Sequence, residues 1–248
     1  TGAAIGSNVA RYMGLSYKNM TILLGCGAAG AVAGIFKAPM AGVLFTFEIL
    51  LFNMSMSSLL PFVISSVTAT TVSYLFLGNT VAFENDLTPF SIGNLPYYIL
   101  FGAICGYASL YFTRTTLWLE DKIKGINGTT RRWLISAVCL GLLIFIFPPL
   151  YGEGYGVLTS LLMNNSEEAI GTSIFQKILT IDWVVPIFFI GVFFFKVFTM
   201  SFTNAGGGVG GTFGPTLFMG GIVGFIIARI VNLSGIHVLP EANFVLVG

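Results

Sequence analysis

The residues best placed to do chemistry lie in one run, Asn204-Ala205-Gly206-Gly207-Gly208-Val209-Gly210-Gly211-Thr212-Phe213-Gly214-Pro215-Thr216-Leu217-Phe218-Met219-Gly220-Gly221. No Asp, Glu, Lys or Arg occurs from Val197 to Ala228. As a single helix rising about 1.5 Å per residue, that stretch would reach about 48 Å, longer than the roughly 30 Å hydrocarbon core of a bilayer. Six Gly between positions 206 and 214 oppose a continuous helix. Pro215 suits the first turn of a new one, where its missing N–H leaves no bond unmade. The run therefore predicts a helix, an extended glycine loop and a second helix beginning near Pro215. N–H groups of Thr212, Phe213 and Gly214, with the positive end of the helix dipole, would attract an anion without burying a full positive charge. They would repel a cation. The competing reading is a glycine kink that only packs closely against a neighbour, and the residues alone leave the two readings open.

A second segment has a related character. In Phe36-Lys37-Ala38-Pro39-Met40-Ala41-Gly42-Val43-Leu44-Phe45-Thr46-Phe47-Glu48, Pro39 is again placed to start a helix, and Glu48 comes later in an otherwise apolar run. An ionisable residue within a span is a functional candidate, here for a proton path or for gating. The alternative is a carboxylate that caps a neighbouring helix or reaches to the interface. Lys37 and Lys196 are expected at helix ends near the interface.

Composition indicates the elements that must hold these residues. Of 248 residues, 55% are hydrophobic and 8% are charged, against about 25% charged in a soluble domain. Mean hydropathy is +0.90. Too little charge is present to cover a water-facing surface. A multi-pass integral membrane protein, expected in the cell membrane, is the class that remains. A net charge of +1 gives no basic field for nucleic acid. Cys26, Cys105 and Cys139 are odd in number, lie in apolar stretches and read as buried free thiols. No metal-ligand spacing, catalytic constellation or cofactor motif occurs, and an enzyme is not expected. The chain starts at Thr1 and ends at Gly248 within apolar sequence, so it reads as one membrane domain, 1–248, cut at both ends.

Gaps between charge clusters mark about eight to ten helical segments, several short or interrupted. One ends near Asn53 and another runs from about Ser58 to Leu77. Others are expected over Tyr97 to Leu119, Arg132 to Phe147 and Trp183 to Met200, with Pro148-Pro149 closing the 132–147 span. No strand-like alternation competes. Arg114, Lys122, Lys124, Arg131 and Arg132 make the 114–132 region basic and point it to the cytoplasm. Regions 78–96 and 151–182 are poor in Lys and Arg and point outside.

These motifs together resemble the CLC family of chloride channels and proton-coupled chloride transporters. Gly211-Thr212-Phe213-Gly214-Pro215 matches that family's Gly-x-Phe-x-Pro anion motif. The 36–45 segment resembles its Phe-x-Ala-Pro-x-(Ala/Gly)-Gly-x-Leu-Phe segment, which leads to an acidic residue, here Glu48. Tyr151-Gly152-Glu153-Gly154-Tyr155 is similar to a family segment located after a Pro. Thr1-Gly2-Ala3-Ala4-Ile5-Gly6 resembles the stretch directly after its Gly-(Lys/Arg)-Glu-Gly-Pro motif. The resemblance implies an all-α fold of tilted and discontinuous helices, part of an inverted-repeat architecture. It implies a homodimer with one anion pathway per subunit, and regions 40–54 and 58–77 near the dimer interface. Main-chain N–H groups of Thr212 and Phe213 would contact chloride.

Some of that pattern falls outside the chain: the external gating glutamate, the earlier Ser-bearing motif and the late pore tyrosine. Proton-coupled members carry a second acidic residue directly after the one matched by Glu48, where this sequence has Ile49. The expected activity is therefore passage of chloride or another small anion across a bilayer, leaning to a voltage-gated type of channel. The alternatives are a proton/chloride antiporter of the same family and a secondary transporter of an organic anion. A fragment that conducts only with its missing segments is a further alternative. An intramembrane hydrolase lacks a base, because His237 stands alone.

Overall fold

Apolar runs in lipid must satisfy their own backbone hydrogen bonds, and a helix does so within one segment. The computed structural model describes residues 1–50, 56–78, 87–171 and 182–248, which form helices joined by turns, with no strand among them. Among the described residues, six helical stretches are long and apolar enough to cross a membrane: Tyr17–Phe36, Leu59–Leu77, Ile92–Lys124, Thr129–Ile146, Val184–Gly206 and Phe213–Ser234. The all-α, multi-span expectation is met. The helix expected to end near Asn53 has its end outside the described residues, as do Glu84, Asp86 and Lys177.

The chain divides into two units, Thr1–Glu84 and Asn85–Gly248. In the first, α1 (Gly2–Tyr12), α2 (Tyr17–Phe36), α3 (Pro39–Leu50) and α4 (Met56–Leu77) pack around α2. Small residues make this possible. A Cβ on Gly2 would run into the Gly27 carbonyl, and a Cβ on Gly27 into the Gly2 carbonyl. Gly42 of α3 meets Ala29 and Ala33 of α2 in the same way. Backbones this close gain dispersion contacts where lipid offers no hydrophobic driving force between helices. Polar side chains add interhelical bonds: Ser65 Oγ donates to the Cys26 carbonyl (2.8 Å) and Thr70 Oγ1 to the Ala33 carbonyl (3.1 Å). Between α2 and α3 the helix breaks at Lys37, whose φ of 52° is left-handed, and Pro39 starts α3 as the sequence predicts. Lys37 thus sits at a helix end, with its Nζ donating to the Gly78 carbonyl at 2.7 Å.

The second unit contains α5 (Leu95–Lys124), α6 (Thr129–Ile146), α7 (Tyr155–Leu162), α8 (Ser166–Ile170), α9 (Val184–Gly206), α10 (Phe213–Ser234) and α11 (Glu241–Val247). Its core is aromatic: Phe189, Phe218, Phe225 and Phe244 are all but fully buried. Gly220 and Gly224 of α10 pass against backbone carbonyls of Gly248 and Phe244, which lets α11 lie across α10. Asn232 holds the connecting turn, giving Nδ2 to the Leu239 carbonyl (3.0 Å) and accepting the Leu239 N–H.

Several boundaries differ from the sequence reading. Most of the basic 114–132 region is helix, because α5 continues to Lys124 and leaves a turn of a few residues before α6. Its last turn carries Lys122 and Lys124, favourable at a helix C-terminus, and Lys124 pairs with Glu120 at 2.7 Å. The α9 helix runs to Gly206 rather than Met200. The three Cys are free thiols as expected, but they are half-buried rather than buried.

The Gly2–Gly27 crossing gives a direct test. Gly27→Val forces a branched side chain into the facing backbone and should destabilise the first unit by about 1–3 kcal/mol. Thermal unfolding of the detergent-solubilised protein measures it; Gly102→Val, at a helical site with open space, should shift the midpoint far less.

Candidate functional site

The break expected between positions 206 and 215 is present. Helix α9 ends at Gly207, which takes a left-handed φ of 107°. Its N–H donates to the Asn204 carbonyl (3.3 Å), and the Gly208 N–H donates to the Thr203 carbonyl (2.9 Å). This pair of bonds closes the last turn and uses carbonyls that would otherwise lack partners. A side chain at 207 would strain the backbone, whereas Gly supplies the angle freely. Val209, Gly210, Gly211 and Thr212 then run exposed to the start of α10.

Helix α10 begins at Phe213, two residues before Pro215, with Thr212 as its cap. The first helical bond is from the Thr216 N–H to the Thr212 carbonyl (3.0 Å). Pro215 has no N–H, so the donors of Thr212, Phe213 and Gly214 all precede the first intrahelical bond. Gly211 and Thr212 are exposed, Phe213 is half-buried, and Gly214 and Pro215 are buried. The five motif residues are therefore consecutive in space as in sequence, at one helix N-terminus. Glu48 belongs to the other unit. It is exposed on α3, beside the buried Thr46 and Phe47.

A cavity of about 330 Å³ adjoins the break. The C-terminal half of α9 forms one wall through Lys196, Thr203 and Asn204. The Leu150–Glu153 turn forms another, and Gly210, Gly211 and Pro215 complete it. Lys196 is 1% exposed. This corrects the expected interfacial position, for Lys196 lies mid-helix in α9 with its stem wholly covered. Its Nζ donates to the Gly152 carbonyl (2.8 Å) and more weakly to the Leu150 carbonyl (3.4 Å), and lies 4.5 Å from the Phe218 ring centroid. A charge inside an apolar span was visible in the sequence. The expected 183–200 span put it four residues from a helix end, whereas α9 runs on to Gly206 and leaves it ten residues in.

The turn held by Lys196 carries two further residues to α10. A Cβ on Gly214 would lie 3.3 Å from the Glu153 Cβ and 3.3 Å from the Tyr155 hydroxyl. Gly154, at φ 89°, passes against the Phe218 ring, where any side chain would collide. Burial raises the Tyr155 phenol above its usual range, and the neighbouring Glu153 carboxylate raises it further. Neither residue stood out as part of a site in the sequence, because some 60 positions separate them from Gly214. Among the described residues, no group of His, Cys, Asp and Glu could hold a metal ion.

The start of α10 thus lies at the rim of this cavity, with Gly211 and Pro215 in its lining. The family model for voltage gated chloride channels matches residues 1–248. The chain belongs to that family. Among curated relatives, chloride channel protein CLC-e of Arabidopsis thaliana is 28% identical over 94% of this chain and 33% of its own length. The voltage-gated ClC-type chloride channel ClcB of Citrobacter koseri is 28% identical over 83% of this chain and 46% of its own. The H(+)/Cl(-) exchange transporter ClcA of Cronobacter sakazakii is 29% identical over 82% and 41%. The crystal structure of a CLC-type fluoride/proton antiporter superposes with a TM-score of 0.72 at 21% identity, covering 98% of this chain and 56% of that one. This CLC chain thus spans a third to a half of the curated relatives it matches, and has their helical membrane fold.

In this CLC chain the closure at Gly207 is testable by itself. No atom lies within 4 Å of a Cβ built there, so Gly207→Ala should act through backbone strain alone. It should cost about 1–2 kcal/mol, seen as a lower unfolding midpoint in detergent, with Gly207→Asn milder.

Proposed function

We propose that the protein passes chloride or another small halide-like anion across a membrane. The observation that carries this reading is the start of α10. Donors of Thr212, Phe213 and Gly214 precede the first helical bond, and Gly211 and Pro215 on either side of them line a cavity. An anion there exchanges its water shell for main-chain N–H dipoles, and the helix dipole adds favourable potential without a full charge at the seat. Thr212 and Phe213 supply the donors. Gly211 keeps a side chain out of the ion's space, Gly214 leaves room for Glu153 and Tyr155 against the first turn, and Pro215 withholds a donor that would otherwise need a partner. No step of bond making or breaking is involved, so the activity is transport rather than catalysis.

Channel-type conduction is supported by the sequence position after Glu48, which is the aliphatic Ile49. Proton-coupled exchange is the second reading. It is supported by the H(+)/Cl(-) exchange relative of Cronobacter sakazakii and by the antiporter with the same fold. Under either reading the working unit is a homodimer in the membrane, with the apolar outward residues of α4, such as Ile64, Val67 and Val72, available to a second copy.

Three measurements test this. Vesicles containing the full-length protein should release chloride when the potential is clamped. Gly211→Val should cut that flux at least tenfold while leaving unfolding unchanged, because nothing in the protein lies within 4 Å of a Cβ there. Unaltered flux would remove the seat from α10. A pH indicator in the same vesicles separates the two modes, since conduction moves no protons and exchange moves them in fixed ratio. Under conduction, Glu48→Gln should keep most chloride flux; its complete loss would support an obligatory proton role for Glu48.

A further inference from the structure

Helix α5 carries a stripe that its packing does not use. Arg114, Trp118 and Lys122 are four residues apart and lie above one another on one face. The opposite face, with Thr116, Leu119 and Ile123, is buried, and Leu119 and Ile123 pack on Ala205 of α9. All three stripe residues are exposed, and the Lys122 ammonium lies over the Trp118 ring, 4.4 Å from its centroid. Among the described residues, neither Arg114 nor Lys122 makes an ion pair, whereas Lys124 is matched to Glu120. Asp121 is the other carboxylate at this end of α5, so region 114–132 sets five cations against two acids.

Toward the membrane interior the stripe continues as Tyr111 and Tyr107 into a groove of about 460 Å³ between α5, α9 and α10. Phe194, Ile226 and Ile230 form its other walls, and its lining has no charged side chain. The Tyr111 hydroxyl donates to the Phe194 carbonyl (3.0 Å), so it asks nothing of a guest. The volume falls within the roughly 300–1,000 Å³ of ligand pockets. Tyr111 precedes Lys122 by eleven residues, roughly 16 Å of helix and about half of a hydrocarbon core. The cations therefore sit at headgroup depth when the groove sits at the depth of acyl chains.

We propose that this face of α5 holds one anionic phospholipid, with its phosphate between Arg114 and Lys122 and one acyl chain in the groove. Charge complementarity selects the headgroup. A zwitterionic lipid brings a cation of its own to a surface already rich in cations, whereas an anionic lipid brings net negative charge. The Arg114 stem can run along apolar surface while its guanidinium reaches toward the polar region, where its paired donors match a phosphate. Trp118 suits the boundary between chains and headgroups, and its ring keeps the Lys122 ammonium at that level. The basic end of α5 is the end that loop charge assigns to the cytoplasm, and that leaflet carries the anionic lipids.

Native mass spectrometry of the full-length protein tests this. The protein is held in mild detergent with equal amounts of palmitoyl-oleoyl phosphatidylglycerol and phosphatidylcholine. One phosphatidylglycerol per subunit should be retained, with a preference of about tenfold over phosphatidylcholine. Equal retention of the two lipids, or none of either, overturns the proposal. Replacing both exposed cations, Arg114→Gln with Lys122→Gln, should reduce the preference to about twofold or less. Arg131→Gln removes a charge on α6 outside the stripe and should leave most of the preference. An equal loss there would mean diffuse surface charge and overturn the site. Ile226→Trp fills the groove and should abolish retention of phosphatidylglycerol; undiminished retention overturns the acyl seat and the proposal with it. Should Ile226→Trp fail to fold, glycerol phosphate decides, being the headgroup chemistry without chains. It should not displace the bound lipid, and displacement would mean a site for free phosphate and overturn the proposal.

Discussion

At membrane depth a backbone N–H or C=O without a partner costs several kcal/mol, and no water is at hand to take its place. The helix interruptions in this protein are shaped by that constraint. At the end of α9 the Gly207 and Gly208 N–H groups turn back onto the Asn204 and Thr203 carbonyls. At the start of α10, Pro215 removes one donor from the first turn and Thr216 makes the first bond. The break between α2 and α3 obeys the same logic, with Lys37 left-handed, the Ala38 N–H on the Ala33 carbonyl and Pro39 opening the next helix. At α10 the same constraint gathers a small set of donors beside a cavity.

Close packing supplies the walls. Glycines facing carbonyls bring α1 and α3 onto α2 in one unit, and α11 onto α10 in the other. In the second unit, Phe side chains fill the space between α9 and α10. Lys196 joins that core to the cavity wall. Its ammonium holds the Leu150–Gly152 turn, and the turn carries Glu153 and Tyr155 against Gly214. A charge that would be a liability in a uniform apolar core is accommodated because the Leu150 and Gly152 carbonyls reach it and the Glu153 carboxylate lines the same cavity.

Much of the fold was readable in advance. The absence of charge from Val197 to Ala228, the glycines of 206–214 and Pro215 located the interruption to within two residues. Pro39 located the other break. Boundaries set by packing were less legible. The α5 span was expected to end near Leu119, but it continues to Lys124, because Lys122 and Lys124 suit the C-terminal end of a helix. Lys196 was placed at an interface by its type, and the structure buries it at mid-helix.

The sequence by itself determined the helical, membrane-spanning class and the places where helices stop. These depend on each residue's own backbone preferences and on bonds that close within a few positions. Tertiary structure alone decided that Lys196 would meet the Leu150 and Gly152 carbonyls and that Glu153 would lie against Gly214. Those meetings join residues 44 or more positions apart. They depend on how each helix is rotated and how deep it sits, which is set by the packing of all its neighbours at once.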